Sequence, residues 1–311
     1  MKKILIVDPT DYVNDLQAMI HDTEIDCCST AFDAISNLNM KAYDLVISEV
    51  DLPGDNSFEF YYYLDKNLPY MPVIMTTNRD IDSYFDEIFK NGIGNVLYKP
   101  INRQELTGLI SKLLREAPIF GLKNYLPDIV EHKRIRIVSS TQINAAISKI
   151  TSYIQKWNFE IENMMMMNLI LNEIIINAVY HAHDFTKEKL ARKKITLPED
   201  KYVDIFFAHN GREYAICVRD YMGTLSSKRI LESINSVIEQ RKTIERAMQE
   251  GNLDNFDLAE SGRGIELVRK LAKEYYFIIQ KGLRTETILK FDSIHTFESN
   301  PITSLKIIER Q

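Results

Sequence analysis

A chain of 311 residues, with 45% apolar and 26% charged side chains, has enough apolar mass for two soluble globular domains. Its net charge of −6 argues against the basic surface that direct nucleic-acid binding needs. Ile4–Val7, the only apolar run before Asp8, is too short for a signal peptide, and nothing later approaches a membrane span; the expectation is a cytoplasmic protein without membrane contact.

From Lys3 to about Ala117 the pattern alternates. Short β-branched runs occur at Ile4–Val7, Leu45–Val50, Val73–Thr77 and Asn95–Tyr98, with a weaker one at Glu24–Cys28. Amphipathic segments at Tyr12–Ile20, Ala31–Leu38, Phe58–Asp65, Ile81–Lys90 and Arg103–Arg115 lie between and after them. This α/β alternation predicts a parallel, doubly wound sheet covered on both faces, with chemistry at the carboxyl ends of its strands. Asp8, Glu49, Thr77 and Lys99 fall there. Cys27 and Cys28 are adjacent and Cys217 is remote; none has metal-ligand spacing, so all three are read as reduced thiols.

The run Ile4-Leu5-Ile6-Val7-Asp8, the strand Leu45–Glu49 followed by Leu52-Pro53-Gly54, Thr77, and Lys99-Pro100 resemble the landmarks of response-regulator receiver domains, in order. The resemblance implies a flavodoxin-like fold with an acidic phosphorylation pocket. Two departures matter. The family's phosphoacceptor is Asp, and this chain has Glu49; the second acidic residue that the family uses for Mg²⁺ is replaced by Pro9. A longer nucleophile and a missing metal ligand both spoil the positioning on which phosphoryl transfer depends. A pseudo-receiver is therefore expected, with Glu49 paired to Lys99. It either imitates the phosphorylated state or docks or dimerises, and the second reading is preferred.

Glu116-Ala117-Pro118 ends the last helix, because proline disfavours helix in the residue before it. The expected organisation is a receiver-like domain at 1–117, a linker at 118–131, a second domain at 132–295 and a tail at 296–311. In the second domain, Arg134–Val138 alternates as a half-buried strand and Gln142–Trp157 is an amphipathic helix. Tyr202–Phe207 and Tyr214–Val218 read as strands joined at Asn210-Gly211, a strong hairpin turn, and Tyr276–Gln280 with Glu286–Phe291 as a second antiparallel pair.

Between them, Leu171–Ala182 reads as a helix without Pro or Gly, on which Glu173, Asn177 and His181 recur at four-residue spacing and share a face. Such a stripe faces either solvent or a ligand. The downstream order favours a ligand: Asp220 at a strand end with Gly223 after it, then Gly262-Arg263-Gly264 opening a helix, where free backbone N–H groups and the dipole suit phosphate.

That order resembles the GHKL ATPase superfamily, an α/β sandwich with a mixed sheet. Asn172-Glu173-x-x-x-Asn177-Ala178-x-x-His181 and Gly262-Arg263-Gly264-Ile265-x-Leu267 resemble the boxes of its anti-sigma-factor serine kinases. The resemblance implies ATP and Mg²⁺ as cofactors. Asn177 would hold Mg²⁺, Glu173 would be the general base and Asp220 would accept from the adenine amino group. Gly223 would admit the base, Gly262 and Gly264 would wrap the phosphates, Arg263 would touch the terminal phosphate, and His181 completes the helix motif. Met222 and Thr224 stand where this family has glycines, so crowding of the adenine or a different turn is expected there. The charged stretch after Thr224 corresponds to the family's lid, with Lys228 and Arg229 facing either phosphate or solvent.

The implied function is an ATP-dependent protein serine/threonine kinase acting by partner switching on a small anti-anti-sigma (STAS-like) protein, with a sigma factor as a further partner and a homodimer as the default assembly. The alternatives are a nucleotide-gated or nucleotide-free sequestering module and a histidine kinase. The last is disfavoured, because His132 is the only histidine near the joint and lacks a phosphoacceptor context.

Overall fold

The computed structural model describes residues 1–54, 57–161, 163–250, 263–292 and 304–311. The chain divides into two compact units, one of residues 1–119 with 304–306, the other of residues 120–303 with 307–311.

The first unit runs β1 (Lys2–Val7), α1 (Tyr12–Met19), β2 (Thr23–Cys28), α2 (Ala31–Met40), β3 (Leu45–Glu49), α3 (Ser57–Asn67), β4 (Val73–Thr77), α4 (Phe85–Asn91), β5 (Asn95–Tyr98) and α5 (Arg103–Leu113). Its strands pair in parallel in the order β2-β1-β3-β4-β5. That is the flavodoxin-like order, whose reversal between β1 and β3 opens a crevice at their carboxyl ends. Asp8 follows β1 and Glu49 ends β3, so topology alone puts both carboxylates at that crevice. The strands read as apolar runs because both faces are covered; every residue of β3 is buried. Helix boundaries follow local chemistry. Asn102 caps α5 by accepting from the Gln104 and Glu105 N–H groups, and Gly92 ends α4 at φ +68°. Leu305 and Lys306 add an antiparallel pairing to Val96 and Asn95, and the buried Lys306 ammonium pairs with Glu105.

The second unit contains β6 (Glu131–Ile137), α6 (Ile143–Lys156), α7 (Met164–Ile176), α8 (Thr186–Leu190), β7 (Val203–His209), β8 (Glu213–Asp220), α9 (Ser227–Glu250), α10 (Arg263–Leu271), β9 (Glu274–Gln280), β10 (Arg284–Asp292) and residues 307–310 of β11 (Leu305–Arg310). The sheet order is β11-β9-β10-β8-β7-β6, antiparallel except where Ile307–Arg310 runs parallel to β9. This is the expected mixed sheet of an α/β sandwich. One face carries Phe207, Val218, Thr285, Thr287 and Phe277 towards the helical layer, in which α6, α7 and α10 pack on one another. On α6 the buried stripe is Ile143, Ile147, Ile150 and Ile154. On α9 it is Ile230, Ile234 and Ile238 with Leu231.

The opposite face corrects the expected linker. Residues 120–126 lie on it, with Leu122, Tyr125 and Leu126 buried, the Gly121 N–H donating to Glu286 Oε2 at 2.8 Å, and the Arg284 guanidinium 4.3 Å from the Phe120 ring centre. Apolar burial here outweighs the freedom a linker would keep. The expected tail likewise contains a strand, β11.

Candidate functional site

In the first unit, Lys99 gathers the pocket. Its Nζ donates to Asp8 Oδ2 at 2.7 Å and pairs with Glu49 Oε2, and it sits 4.7 Å from the centre of the Tyr12 ring. The remaining carboxylate oxygens are also occupied. Glu49 Oε1 accepts from the N–H groups of Val50 (2.8 Å) and Asp51 (3.1 Å), and Asp8 Oδ1 from the N–H (2.9 Å) and hydroxyl (2.6 Å) of Thr10. Burial works against the Lys99 charge, but the hydrogen bonds and charges of Asp8 and Glu49 outweigh it, so this lysine titrates above its ordinary range. Thr77 is buried at the end of β4, where its hydroxyl accepts from the Arg79 N–H rather than joining the cluster. Tyr12, which holds the Ile101 N–H through its hydroxyl at 2.7 Å, is a wall of this pocket that sequence reasoning missed.

In the second unit, a cavity of about 400 Å³ is lined by Glu173, Asn177 and His181 together with Asp220. The helix stripe and the strand-end acid therefore meet in one place. The helix is not α throughout, however. α7 ends at Ile176, and Asn177–His181 form a π-helical turn in which the Ala182 N–H bonds the Asn177 carbonyl at 3.0 Å. Single π turns of this kind are rare and concentrate at functional sites.

Asp220 is buried and anchors an Asx turn, its Oδ1 accepting from the Met222 and Gly223 N–H groups at 2.9 and 3.1 Å. Burial pushes its pKa up, against the pull of those two hydrogen bonds. The turn settles the two glycine questions. Only Gly223 has a positive φ, +58°; Met222 does not. Met222 is not among the residues that line the cavity. Gly223 is glycine because of the β9–β10 hairpin rather than the ligand: a Cβ there would stand 2.3 Å from the Gln280 carbonyl oxygen and 2.6 Å from the Leu283 nitrogen. Thr224 lines the cavity and its hydroxyl donates to the Ala182 carbonyl at 3.2 Å, tying the turn to the helix.

Thr285 is a site residue the sequence did not reveal. It sits opposite Asp220 in the β8–β10 register and lines the cavity, and its buried hydroxyl lies beside the Asp220 carboxyl without closing a hydrogen bond of normal geometry. Of the downstream motif, Gly262 lies outside the described residues; Arg263 and Gly264 begin α10, and Ile265 reaches the cavity wall. Arg229 lines the cavity and Lys228 does not.

Residues 4–111 match the response regulator receiver domain, and residues 138–291 match the histidine kinase-like ATPase domain. The chain is a receiver domain joined to a histidine kinase-like ATPase domain, a pairing of signal-transduction modules, and the second of these implies ATP binding. Its first part is 32% identical over 114 residues to the two-component response regulator-like PRR1 of Oryza sativa subsp. japonica, covering 35% of this chain and 22% of that protein. It is 33% identical over 107 residues to the probable transcriptional regulator ycf29 of Cyanophora paradoxa, covering 33% and 49%. The chain thus spans less than two thirds of the length of either relative. It is also similar to the crystal structure of a CheY-like response regulator receiver domain protein from Methanospirillum hungatei JF-1, with 24% identity and a TM-score of 0.35 over 37% of this chain and 95% of that one. Among the described residues, no helix is long and apolar enough to cross a membrane.

Proposed function

We propose that this protein is an ATP-dependent serine/threonine kinase of the anti-sigma type, working by partner switching on a small anti-anti-sigma (STAS-like) protein, with a sigma factor as the competing partner. The observation that supports it best is the single cavity joining Glu173 and Asn177 on one helix to Asp220 and Thr285 on adjacent strands. Adenine presents an amino donor beside a ring-nitrogen acceptor. Asp220 offers the acceptor for the first, and the Thr285 hydroxyl beside it is a donor for the second.

The residues present also fit Mg²⁺. Asn177, in the cavity wall, would give one oxygen to an ion held mainly by the substrate phosphates. When bound, such an ion supplies charge neutralisation on the phosphates. Glu173 lines the cavity, which supports its role as the base that takes the proton from an incoming serine hydroxyl.

The receiver domain, in this reading, works without being phosphorylated, as a docking or dimerisation module. Glu49 has both oxygens engaged, and Pro9 offers no carboxylate for a metal. The test is to incubate the purified chain with Mg-ATP and extract from its native cell, then read recovered partners and their phosphosites by mass spectrometry. A serine phosphorylated on a small partner supports the kinase. A stable, unmodified complex overturns it in favour of the sequestering module.

A further inference from the structure

The strand β6 ends the sheet of the second unit, and among the described residues it pairs only with β7. Its side chains alternate, with Arg134 and Arg136 exposed on the face away from the helical layer and Ile135 and Ile137 on the other. Both guanidiniums turn to one carboxylate on the neighbouring strand. Asp204 is fully buried and accepts from Arg134 Nη2 at 2.6 Å, from Arg136 Nε and Nη2 at 3.1 and 3.4 Å, and from the Tyr221 hydroxyl at 2.8 Å. Burial works against the Asp204 charge, but these hydrogen bonds outweigh it and hold the carboxyl below its ordinary range. One anion therefore serves two cations. The other buried acid on this face, Glu286, is taken by Arg219 at 2.6 Å, with Arg284 3.9 Å away.

Arginines on a sheet are ordinarily solvated, and two beside a buried acid can be its counter-ions alone. One would be enough for that. These two are also held against aromatic rings: Arg136 lies 3.5 Å from the centre of Tyr202 and Arg134 5.6 Å from that of Phe206, both rings only half-buried. A guanidinium fixed on a ring and bonded along one edge has little freedom left to lose, so a further carboxylate binds it at low entropic cost. Arginine with tyrosine and phenylalanine is the composition of interface anchors rather than of ordinary surface.

The spacing selects the shape of the ligand. Arg134 and Arg136 are two residues apart on one strand, so their stems stand about 7 Å apart, the repeat of same-face side chains in any extended chain. A strand laid along the open edge of β6 would set carboxylates at alternate residues opposite them. A second copy of β6 that continued the sheet face by face would instead bring arginine opposite arginine.

We propose that the β6 edge, with Arg134, Arg136, Tyr202 and Phe206, is a docking site for an extended acidic segment of a partner protein, which adds a strand to the sheet and offers carboxylates at alternate residues to the two arginines. None of these four residues lines the cavity of Glu173 and Asp220, and the site does not rest on nucleotide binding.

The test is fluorescence anisotropy of the full chain with a short labelled peptide alternating Glu and Thr, against a peptide of the same composition with its glutamates in one block. The alternating peptide should bind, the block peptide should bind more weakly, and the alternating peptide should slow hydrogen exchange of the β6 amides. Arg134→Gln and Arg136→Gln should each weaken the alternating peptide about five- to tenfold and flatten its salt dependence. Each variant leaves the other arginine and Tyr221 on Asp204, so an unchanged thermal midpoint shows that the fold is kept. Lys133→Gln removes a charge from the same strand on its other face, where the ammonium sits 5.5 Å from the centre of the Tyr153 ring, and should leave binding unchanged. The site is overturned if the wild type does not bind the alternating peptide at millimolar concentration, if the block peptide binds equally well, or if Lys133→Gln costs as much as Arg134→Gln. A complex whose β6 amides gain no protection overturns the added strand. A short oligothymidylate that binds more tightly and displaces the peptide overturns the site in favour of single-stranded nucleic acid.

Discussion

Replacing Lys99 with methionine isolates the charge cluster of the receiver pocket. Methionine keeps an unbranched apolar stem and removes the cation. The Asp8 and Glu49 side chains are 0% and 5% exposed, so two buried carboxylates would be left together without a cation. Breaking a buried ion pair by deleting one member costs about 3–5 kcal/mol. One oxygen of each carboxylate keeps its N–H donors, from Thr10 and from Val50 and Asp51, which puts the expectation near the lower end, about 3 kcal/mol. The pH dependence carries the sharper signature. In the wild type, Lys99 titrates above its ordinary value, so its contribution is fully present below that ordinary value and is lost as pH rises through the folded pKa. It is therefore flat from about pH 5 to about pH 8. In Lys99→Met the two buried carboxylates face each other without a cation, acid relieves their repulsion, and stability should climb as pH falls across that window. Adding Glu49→Gln should remove the slope and recover part of the loss. Hydrogen exchange of the β1 and β3 amides in the full chain, corrected for intrinsic rates, reads the opening free energy directly. A loss below about 1 kcal/mol, or one independent of pH, would refute the buried-charge reasoning.

Gly223→Ala should cost about 2–4 kcal/mol, since it adds left-handed backbone strain to a Cβ placed 2.3 Å from the Gln280 oxygen; an unchanged thermal midpoint would count against that packing. Glu173→Ala should keep ATP affinity within about twofold by titration while serine phosphorylation is lost, and retained phosphorylation removes Glu173 as the base. Asn177→Ala should abolish the Mg²⁺ dependence of ATP affinity, measured with and without chelator, and a preserved dependence rejects Asn177 as the metal-holding residue. Acetyl phosphate or beryllofluoride with Mg²⁺ should leave the amide spectrum of the receiver domain unmoved, and shifts around Glu49 would show a working pocket.

The receiver domain was legible because buried parallel strands are written as short β-branched runs, and its pocket because Glu49 and Lys99 stand at strand ends. The helix stripe was legible for the same kind of reason, a period that burial imposes. What escaped depended on partners distant in sequence. Leu122, Tyr125 and Leu126 carry no period, and only the sheet they cover shows why they are apolar. Thr285 is an ordinary strand residue until the register sets it opposite Asp220. A glycine box names positions, whereas backbone strain falls on one residue, Gly223, whose neighbours in the β9–β10 hairpin leave no room for a Cβ. Lys189, in the cavity wall, belongs to no motif, and only its contact with His181 singles it out.

The π-helical turn gives the two neighbouring histidines separate work. His181 faces the cavity, whereas His183 Nδ1 donates to the Ala178 carbonyl at 3.0 Å, inside the turn itself. Its imidazole is a stitch across a widened coil, and the loop of chain it fastens is the one that carries Asn177. A change at His183, a residue outside the motif and not lining the cavity, would reach the ligand-facing amide by letting that coil rewind. Because an α-helical winding would advance every later side chain around the axis, the fault would appear as a rotation of the site rather than a gap in it.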